Sequence, residues 1–246
     1  MITISIIIAT FNASKTIQIA LDSVKEQTYQ DWECIIVDGA STDNTVNIIQ
    51  EYATNDSRIR YISEPDKGIY DAFNKGWKMA NGEWIYYLGS DDKLTLNGFT
   101  DLMNQIDNSY SIVSGNTYII KIDGTIKTNI SQGFSGCHQG KLMKKDLFYK
   151  YNGFDESFKL LGDADLMTKL SNDNIPIKNY PIVIAYFTMG GMSQNLHGFK
   201  TRIEESLIII KKDKRIKNPY TKWFISSIYK LGSIIYRMIR SKFFME

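Results

Sequence analysis

Trp84-Ile-Tyr-Tyr-Leu-Gly-Ser-Asp-Asp92 sets a short apolar run directly against a turn and two carboxylates. Such a run, bounded by turn residues, reads as a strand buried on both faces. The same pattern occurs upstream. Ile2 to Ala9 is almost continuously apolar and breaks at Asn12-Ala-Ser14, and Cys34-Ile-Ile-Val37 ends at Asp38. Ile59 to Ile62 reads as a further short strand. Between these runs the period changes to that of helices: Ile17, Ala20, Leu21 and Val24, then Val46, Ile48, Ile49 and Tyr52, then Ile69, Ala72, Phe73, Trp77 and Ala80. Ser14 is placed to cap the first helix, and Asn81-Gly82 to close the third. Strand–helix alternation predicts a mainly parallel, doubly wound α/β sheet flanked by helices. Ligands of such sheets bind beyond the carboxyl ends of the strands. Here those ends carry Asn12, Asp38, and Asp91 with Asp92.

After Asn108 the pattern loosens. Residues 116–128 read as a hairpin turning at Asp123-Gly124, and 142–150 and 163–171 as helices. The expected organisation is one domain over 1–210, in two halves that divide at about 107/108 where the pattern loosens, followed by a helical tail over 211–246.

Composition narrows the class. Of 246 residues 43% are apolar and 23% charged, which excludes a disordered chain, a collagen-like repeat and a disulfide-stapled miniature fold. Cys34 and Cys137 are too far apart in sequence for a zinc site, and two cysteines suit a reducing compartment. The first residues lack the basic region of a secretory signal. The net charge of +2 hides an asymmetry: from Lys211 onward ten Lys and Arg face two acids, a net +8, so the remainder carries −6. An acidic body argues against a nucleic-acid partner. In the tail, Lys222, Ser226, Lys230, Ser233, Arg237 and Arg240 repeat on one helical face, and Phe224, Ile228, Leu231, Ile235 and Ile239 on another. That pattern suits peripheral docking on an anionic membrane; the other reading is a helix packed on the body or a homodimer contact.

Several residues carry possible chemistry. Asp91-Asp92 can share a divalent cation, Mn²⁺ or Mg²⁺, that neutralises a diphosphate; the pair can equally close a turn or cap a helix. Asp38 can accept hydrogen bonds from a base or ribose, or serve its own turn. Gly39-Ala-Ser-Thr-Asp43 is neither a Walker loop nor G-x-G-x-x-G, so a nicotinamide cofactor lacks support. Asp163, just before a helical stretch, is a candidate general base or an N-cap. His138 and His197 are the only histidines, and no Gly-x-Ser-x-Gly elbow is present.

The order of the segments resembles family 2 glycosyltransferases. Ser5-Ile-Ile-Ile-Ala-Thr-Phe-Asn12 and Ile35-Ile-Val-Asp-Gly-Ala-Ser-Thr-Asp-Asn-Thr45 resemble the first nucleotide-binding segments. Glu64-Pro-Asp-Lys-Gly-Ile-Tyr-Asp-Ala-Phe-Asn-Lys-Gly76 and Ala80-Asn-Gly-Glu-Trp84 continue the likeness. Leu88-Gly-Ser-Asp-Asp92 matches the DXD region. Cys137-His-Gln139, Gly153-Phe-Asp-Glu156 and Gly162-Asp-Ala-Asp-Leu166 resemble the acceptor half, and Gly190-Gly-Met-Ser193 a late loop of O-antigen and capsule members. The resemblance implies a GT-A fold, a nucleotide-sugar donor (a UDP-sugar), a divalent metal and inversion at the anomeric carbon. It implies a saccharide acceptor, polyprenyl-diphosphate-linked, used in bacterial surface polysaccharide synthesis at the cytoplasmic face of the membrane. Carried over by position, Thr10, Phe11, Asn12, Asp38, Asp66, Ser90 and Asp91 would meet the donor. Asp91 and Asp92 would serve the metal, and Asp163 would be the base. His138, Gln139 and Asp165 would line the acceptor side. The chain departs from the pattern at Gly39, Gly89 and Gly162, where many members carry acids. The rival readings are a sugar-nucleotide-binding scaffold on the same fold and a nucleotidyltransferase; the latter's glycine-rich N-terminal phosphate loop is missing.

Overall fold

The first strand, β1 (Ile4–Thr10), is buried along almost its whole length, as its apolar run requires. The computed structural model describes residues 3–131, 133–134, 137–189 and 198–218. In chain order β1 is followed by α1 (Ile17–Lys25), β2 (Trp32–Asp38), α2 (Thr45–Asn55), β3 (Ile59–Ser63), α3 (Ile69–Met79), β4 (Trp84–Gly89), β5 (Lys93–Leu94) and α4 (Gly98–Met103). Then come β6 (Ile112–Ile120), β7 (Ile126–Asn129), a 3₁₀ turn (His138–Gly140), β8 (Lys141–Lys144), α5 (Lys145–Tyr151), α6 (Gly162–Asn172), β9 (Ile177–Thr188) and α7 (Phe199–Lys212).

The first four long strands pair in parallel in the order β3-β2-β1-β4, so Thr10, Asp38 and Gly89 end at one rim. Side-chain alternation splits the core into two layers. Ile6, Ile8, Ile36 and Leu88 pack with Leu21 and Val24 of α1 and Phe99 of α4. Ile7, Ile35, Ile85 and Tyr87 pack with Phe73 and Trp77 of α3, Phe148 of α5 and Leu166 of α6.

Beyond β4 the sheet is mixed. β8 runs antiparallel to β4, with Trp84 opposite Lys144, and β6 joins β8 antiparallel and β9 parallel. The helix expected over 142–150 is therefore a strand to Lys144 followed by α5, because Leu142 and Met143 fill opposite layers of the sheet. The hairpin at Asp123-Gly124 is present as β6–β7. Ser14 does not cap α1: the helix begins at Ile17, and the Ser14 N–H donates to Asp43 at 3.2 Å. Gly82 ends no helix in a left-handed turn; Ala80 is already extended, and a Cβ on Gly82 would stand 2.8 Å from the Ser5 nitrogen. In α3 the buried stripe is Tyr70-Phe73-Trp77, and Ile69 is 40% exposed. A domain boundary at 210 would cut α7, which ends at Lys212.

Gly76 shows how closely α3 lies on the sheet. A Cβ there would meet Ile7 Cγ2 at 2.4 Å, and Ile7 is fully buried in the central strand. Gly76→Val is expected to destabilise the fold by about 1–3 kcal/mol through over-packing. Chemical denaturation reads it directly; a stability equal to wild type would mean that α3 can lift off the sheet without cost.

Candidate active site

Thr10 and Asp38 sit opposite each other at the ends of β1 and β2. The Asp38 side chain is fully buried and organises the loop behind it: it accepts the Ser41 N–H at 2.8 Å, the Ser63 hydroxyl at 2.7 Å and the Ser41 hydroxyl. Asn12, in the left-handed region at φ 49°, clasps the same loop. Its N–H donates to Ser41 Oγ at 2.8 Å and its Oδ1 accepts the Thr42 N–H at 2.9 Å. Asp66 accepts the Gly68 N–H at 2.9 Å through Oδ1. Its Oδ2 lies against Gly39, where a Cβ would come within 2.6 Å of it and 3.5 Å of the Phe11 ring. A side chain at residue 39 would thus require the Asp66 carboxylate to move. Phe11, 62% exposed, and Asp66 converge over Gly39. An aromatic face beside a carboxylate can stack on a planar base and accept its N–H.

The two acids after β4 have opposite environments. Asp91 is exposed at the rim, next to the half-buried Ser90. Asp92 is 1% exposed and turned inward: Oδ1 accepts the Thr188 N–H at 2.7 Å and Oδ2 accepts Gln139 Nε2 at 2.6 Å. Burial pushes the Asp92 carboxyl up to about 6; the Thr188 N–H opposes this and the Asp91 charge adds to it. Gly89 makes room for that turn, since a Cβ would stand 2.4 Å from Asp92 Oδ2. Gln139, expected at the acceptor side, is buried as the link between Asp92 and β4, its carbonyl accepting the Tyr86 hydroxyl at 2.6 Å. Asp92, expected beside the metal, is committed to Thr188 and Gln139. Asp91 alone of the pair faces outward. One carboxylate plus the phosphates of a substrate is a donor set that suits Mg²⁺ or Mn²⁺, so the residues present fit a cation shared with a diphosphate.

Asp163 is the second residue of α6 and lines a cavity of about 560 Å³ with His138, Lys141, Phe73, Tyr87 and Phe154. Its Oδ1 accepts the Ala164 N–H at 2.8 Å and the Tyr70 hydroxyl at 3.3 Å, and Oδ2 lies 3.4 Å from His138 Nδ1. Burial alone would raise its pKa. His138, the Ala164 N–H and the Tyr70 hydroxyl outweigh burial and hold the carboxyl below its ordinary value. Asp163 is therefore ionised at neutral pH, as a proton acceptor must be. The sign of a His138 substitution follows. With His138→Gln the Asp163 pKa rises, and the acid limb of the kcat/KM profile moves to higher pH. A limb that stays in place would detach His138 from Asp163.

Tyr70 was not among the residues expected at the site, although its spacing to Phe73 and Trp77 marks it as an inward position of α3. Asp165 is fully buried and does not line the cavity; Lys212 at 2.6 Å and Lys169 at 2.7 Å hold it. Gly162 lies close to Tyr70: a Cβ there would stand 2.9 Å from its ring, so a side chain at this position would require the ring to move. His197, the Gly190-Gly-Met-Ser193 loop and the tail over 219–246 lie outside the described residues. Among the described residues no helix is long and apolar enough to cross a membrane.

Comparison with known proteins adds sequence and fold relatives. The family model described as glycosyl transferase family 2 matches residues 5–164. A PGL/p-HBAD biosynthesis glycosyltransferase of Mycobacterium bovis is 30% identical over 210 residues, covering 78% of this chain and 79% of that protein. The Escherichia coli UDP-Glc:alpha-D-GlcNAc-diphosphoundecaprenol beta-1,3-glucosyltransferase WfgD is 34% identical over 207 residues, covering 80% and 81%. Among solved structures, S. aureus TarS 1-349 in complex with UDP-GlcNAc superposes with a TM-score of 0.69 at 20% identity. That match covers 85% of this chain but 66% of the longer TarS chain, and at such identity it speaks for the fold alone.

Proposed function

The chain belongs to glycosyl transferase family 2 and has the GT-A fold, and on that premise we propose that it transfers a sugar from a UDP-sugar donor to a hydroxyl of a lipid-linked saccharide, with inversion and with a divalent metal. The observation that carries this reading is the Asp163 carboxylate, ionised and tethered in the wall of an aromatic-lined cavity. It is the sole acid among the described residues of that wall. One carboxylate suffices for a base in a single displacement, whereas a double displacement also needs a nucleophile. UDP and a diphosphoundecaprenol-linked acceptor are in the printed name of the WfgD relative, and support the same classes here.

In this reading Phe11, over Gly39 and beside Asp66, takes the base of the donor. The loops clasped by Asn12, Asp38 and Ser41 fix that face before the donor arrives, and preorganisation of this kind lowers the cost of binding. Asp91 would hold Mn²⁺ or Mg²⁺, which when bound supplies charge neutralisation for the diphosphate leaving group. Asp163 takes the proton of the acceptor hydroxyl as its oxygen attacks the anomeric carbon. His138 and Tyr70 hold the carboxylate in place and bear part of its charge. Phe73, Tyr87 and Phe154 keep water from the cavity wall. We assign the enzyme to the cytoplasmic face of a membrane because a lipid-linked acceptor resides there, and the basic amphipathic pattern of the tail supports the same placement.

The test offers the protein UDP-glucose, UDP-GlcNAc, UDP-GalNAc and GDP-mannose, each with a polyprenyl-diphosphate-linked saccharide and with Mg²⁺, Mn²⁺ or excess chelator. Metal-dependent UDP release with a product of inverted anomeric configuration is expected. Release of sugar 1-phosphate, the leaving group when a nucleotide-sugar gives up its nucleotidyl group, would indicate nucleotidyl transfer, and a product of retained configuration would remove the single-base mechanism.

A further inference from the structure

The loop that delivers Asp163 is held by a residue outside the segment that the family model matches. Glu205, in the middle of α7, is 6% exposed. Its Oε1 accepts the Lys159 N–H at 2.6 Å, and its Oε2 accepts the N–H groups of Leu161 at 2.8 Å and Leu160 at 3.1 Å. These three donors are the last main-chain N–H groups before α6. The helix itself begins at Gly162 without any side-chain cap of its own. A buried carboxylate is unfavourable unless hydrogen bonds compensate it, and here three main-chain donors and the positive end of α6 do so.

We propose that Glu205 is a positioning residue for the general base, fixing the start of α6 so that Asp163 reaches His138 and Tyr70. The geometry behind it is continuous. Glu205 grips 159–161, Gly162 then lies where a Cβ would come within 2.9 Å of the Tyr70 ring, and the next residue is Asp163, in contact with the hydroxyl of that same tyrosine. Lys212, one end of α7, ties the helix to α6 separately through Asp165. Loss of Glu205 therefore releases the loop while α7 stays docked. The contacts that keep the Asp163 pKa low are longer than 3.2 Å on the side of His138 and Tyr70, so a small shift of the helix start weakens both. A displacement near 1 Å costs about 10²-fold in rate when geometry sets the reaction.

This proposal rests on Asp163 as the base, and the experiment separates the two. Wild type, Asp163→Asn, Glu205→Gln and Glu205→Ala are compared for UDP affinity, kcat, KM for the donor and the pH profile of kcat/KM. Glu205→Ala is expected to lower kcat by about 10- to 100-fold with UDP affinity within a few-fold. Its acid limb should move to higher pH, since Asp163 loses the contacts that depress its pKa. Glu205→Gln, which keeps one carbonyl acceptor, should fall between, and it carries the comparison if the alanine variant does not fold. A purely architectural role would scale the profile down without moving it, and that result overturns the proposal. Activity within a few-fold of wild type in both Glu205 variants, with Asp163→Asn inactive, overturns it as well. An active Asp163→Asn removes the base assignment itself.

Discussion

Asp163→Asn is expected to lower turnover by about 10²- to 10⁴-fold while leaving UDP affinity nearly unchanged. The substitution keeps size and shape, and its amide oxygen can still accept the Ala164 N–H and the Tyr70 hydroxyl. What it removes is the ability to take a proton. The face at Phe11, Gly39 and Asp66 proposed for the nucleotide is built from the loops after β1, β2 and β3, not from α6. An effect confined to kcat is therefore the signature of a base, and an equal loss in donor affinity would mean that Asp163 touches the donor instead. Titration gives a second reading. Asp163 has a depressed pKa, so wild-type activity persists toward acid and is lost only as pH falls through that low value. Any residual activity of the asparagine variant should lack that limb. If the variant turns over within a few-fold of wild type, the base lies elsewhere.

Much of this arrangement is readable from the chain because buried parallel strands have a simple grammar. Ile4–Thr10, Trp32–Asp38 and Trp84–Gly89 are mainly apolar runs that end in, or just before, polar side chains, and parallel pairing brings those ends to one rim. The order of motifs then supplies the family. What is not legible has a common cause: it depends on partners distant in sequence. Leu142 and Met143 have no period long enough to separate strand from helix, and only the antiparallel pairing with β4 decides it. Asp91 and Asp92 are identical residues side by side, and nothing local says that one faces out and the other is taken by Gln139 and Thr188. Gly39, Gly89 and Gly162 read as losses of acids. In the structure each is a position where a Cβ would collide, with Asp66, Asp92 and Tyr70 respectively. Glu205 is the clearest case of a residue invisible to local pattern: it is one acid in a helix of mixed charge, and its three acceptor contacts lie more than forty residues upstream.

Asp91 and Asp92 offer the sharpest contrast in outcome. Asp91→Ala removes an exposed carboxylate to which no hydrogen bond among the described residues assigns a structural task, so folding stability should change by less than about 0.5 kcal/mol. Turnover should nevertheless fall by about 10²- to 10⁴-fold, because neutralisation of a leaving diphosphate is worth several kcal/mol. The dependence on added Mn²⁺ should weaken along with the rate. Asp92→Ala acts through the fold. It leaves the Thr188 N–H and the Gln139 amide without their buried acceptor, at about 1–3 kcal/mol each if water does not replace it, and it loosens the junction of β4, the 3₁₀ turn and β9. Chemical denaturation and metal-dependent turnover, measured on both variants, separate these effects. Loss of stability with Asp92→Ala and loss of rate at intact stability with Asp91→Ala are expected. If instead Asp91→Ala kept its rate and its response to Mn²⁺, while Asp92→Ala lost the metal response at unchanged stability, the inward carboxylate would be the ligand. The hydrogen bonds that hold Asp92 would then have to open when the donor binds.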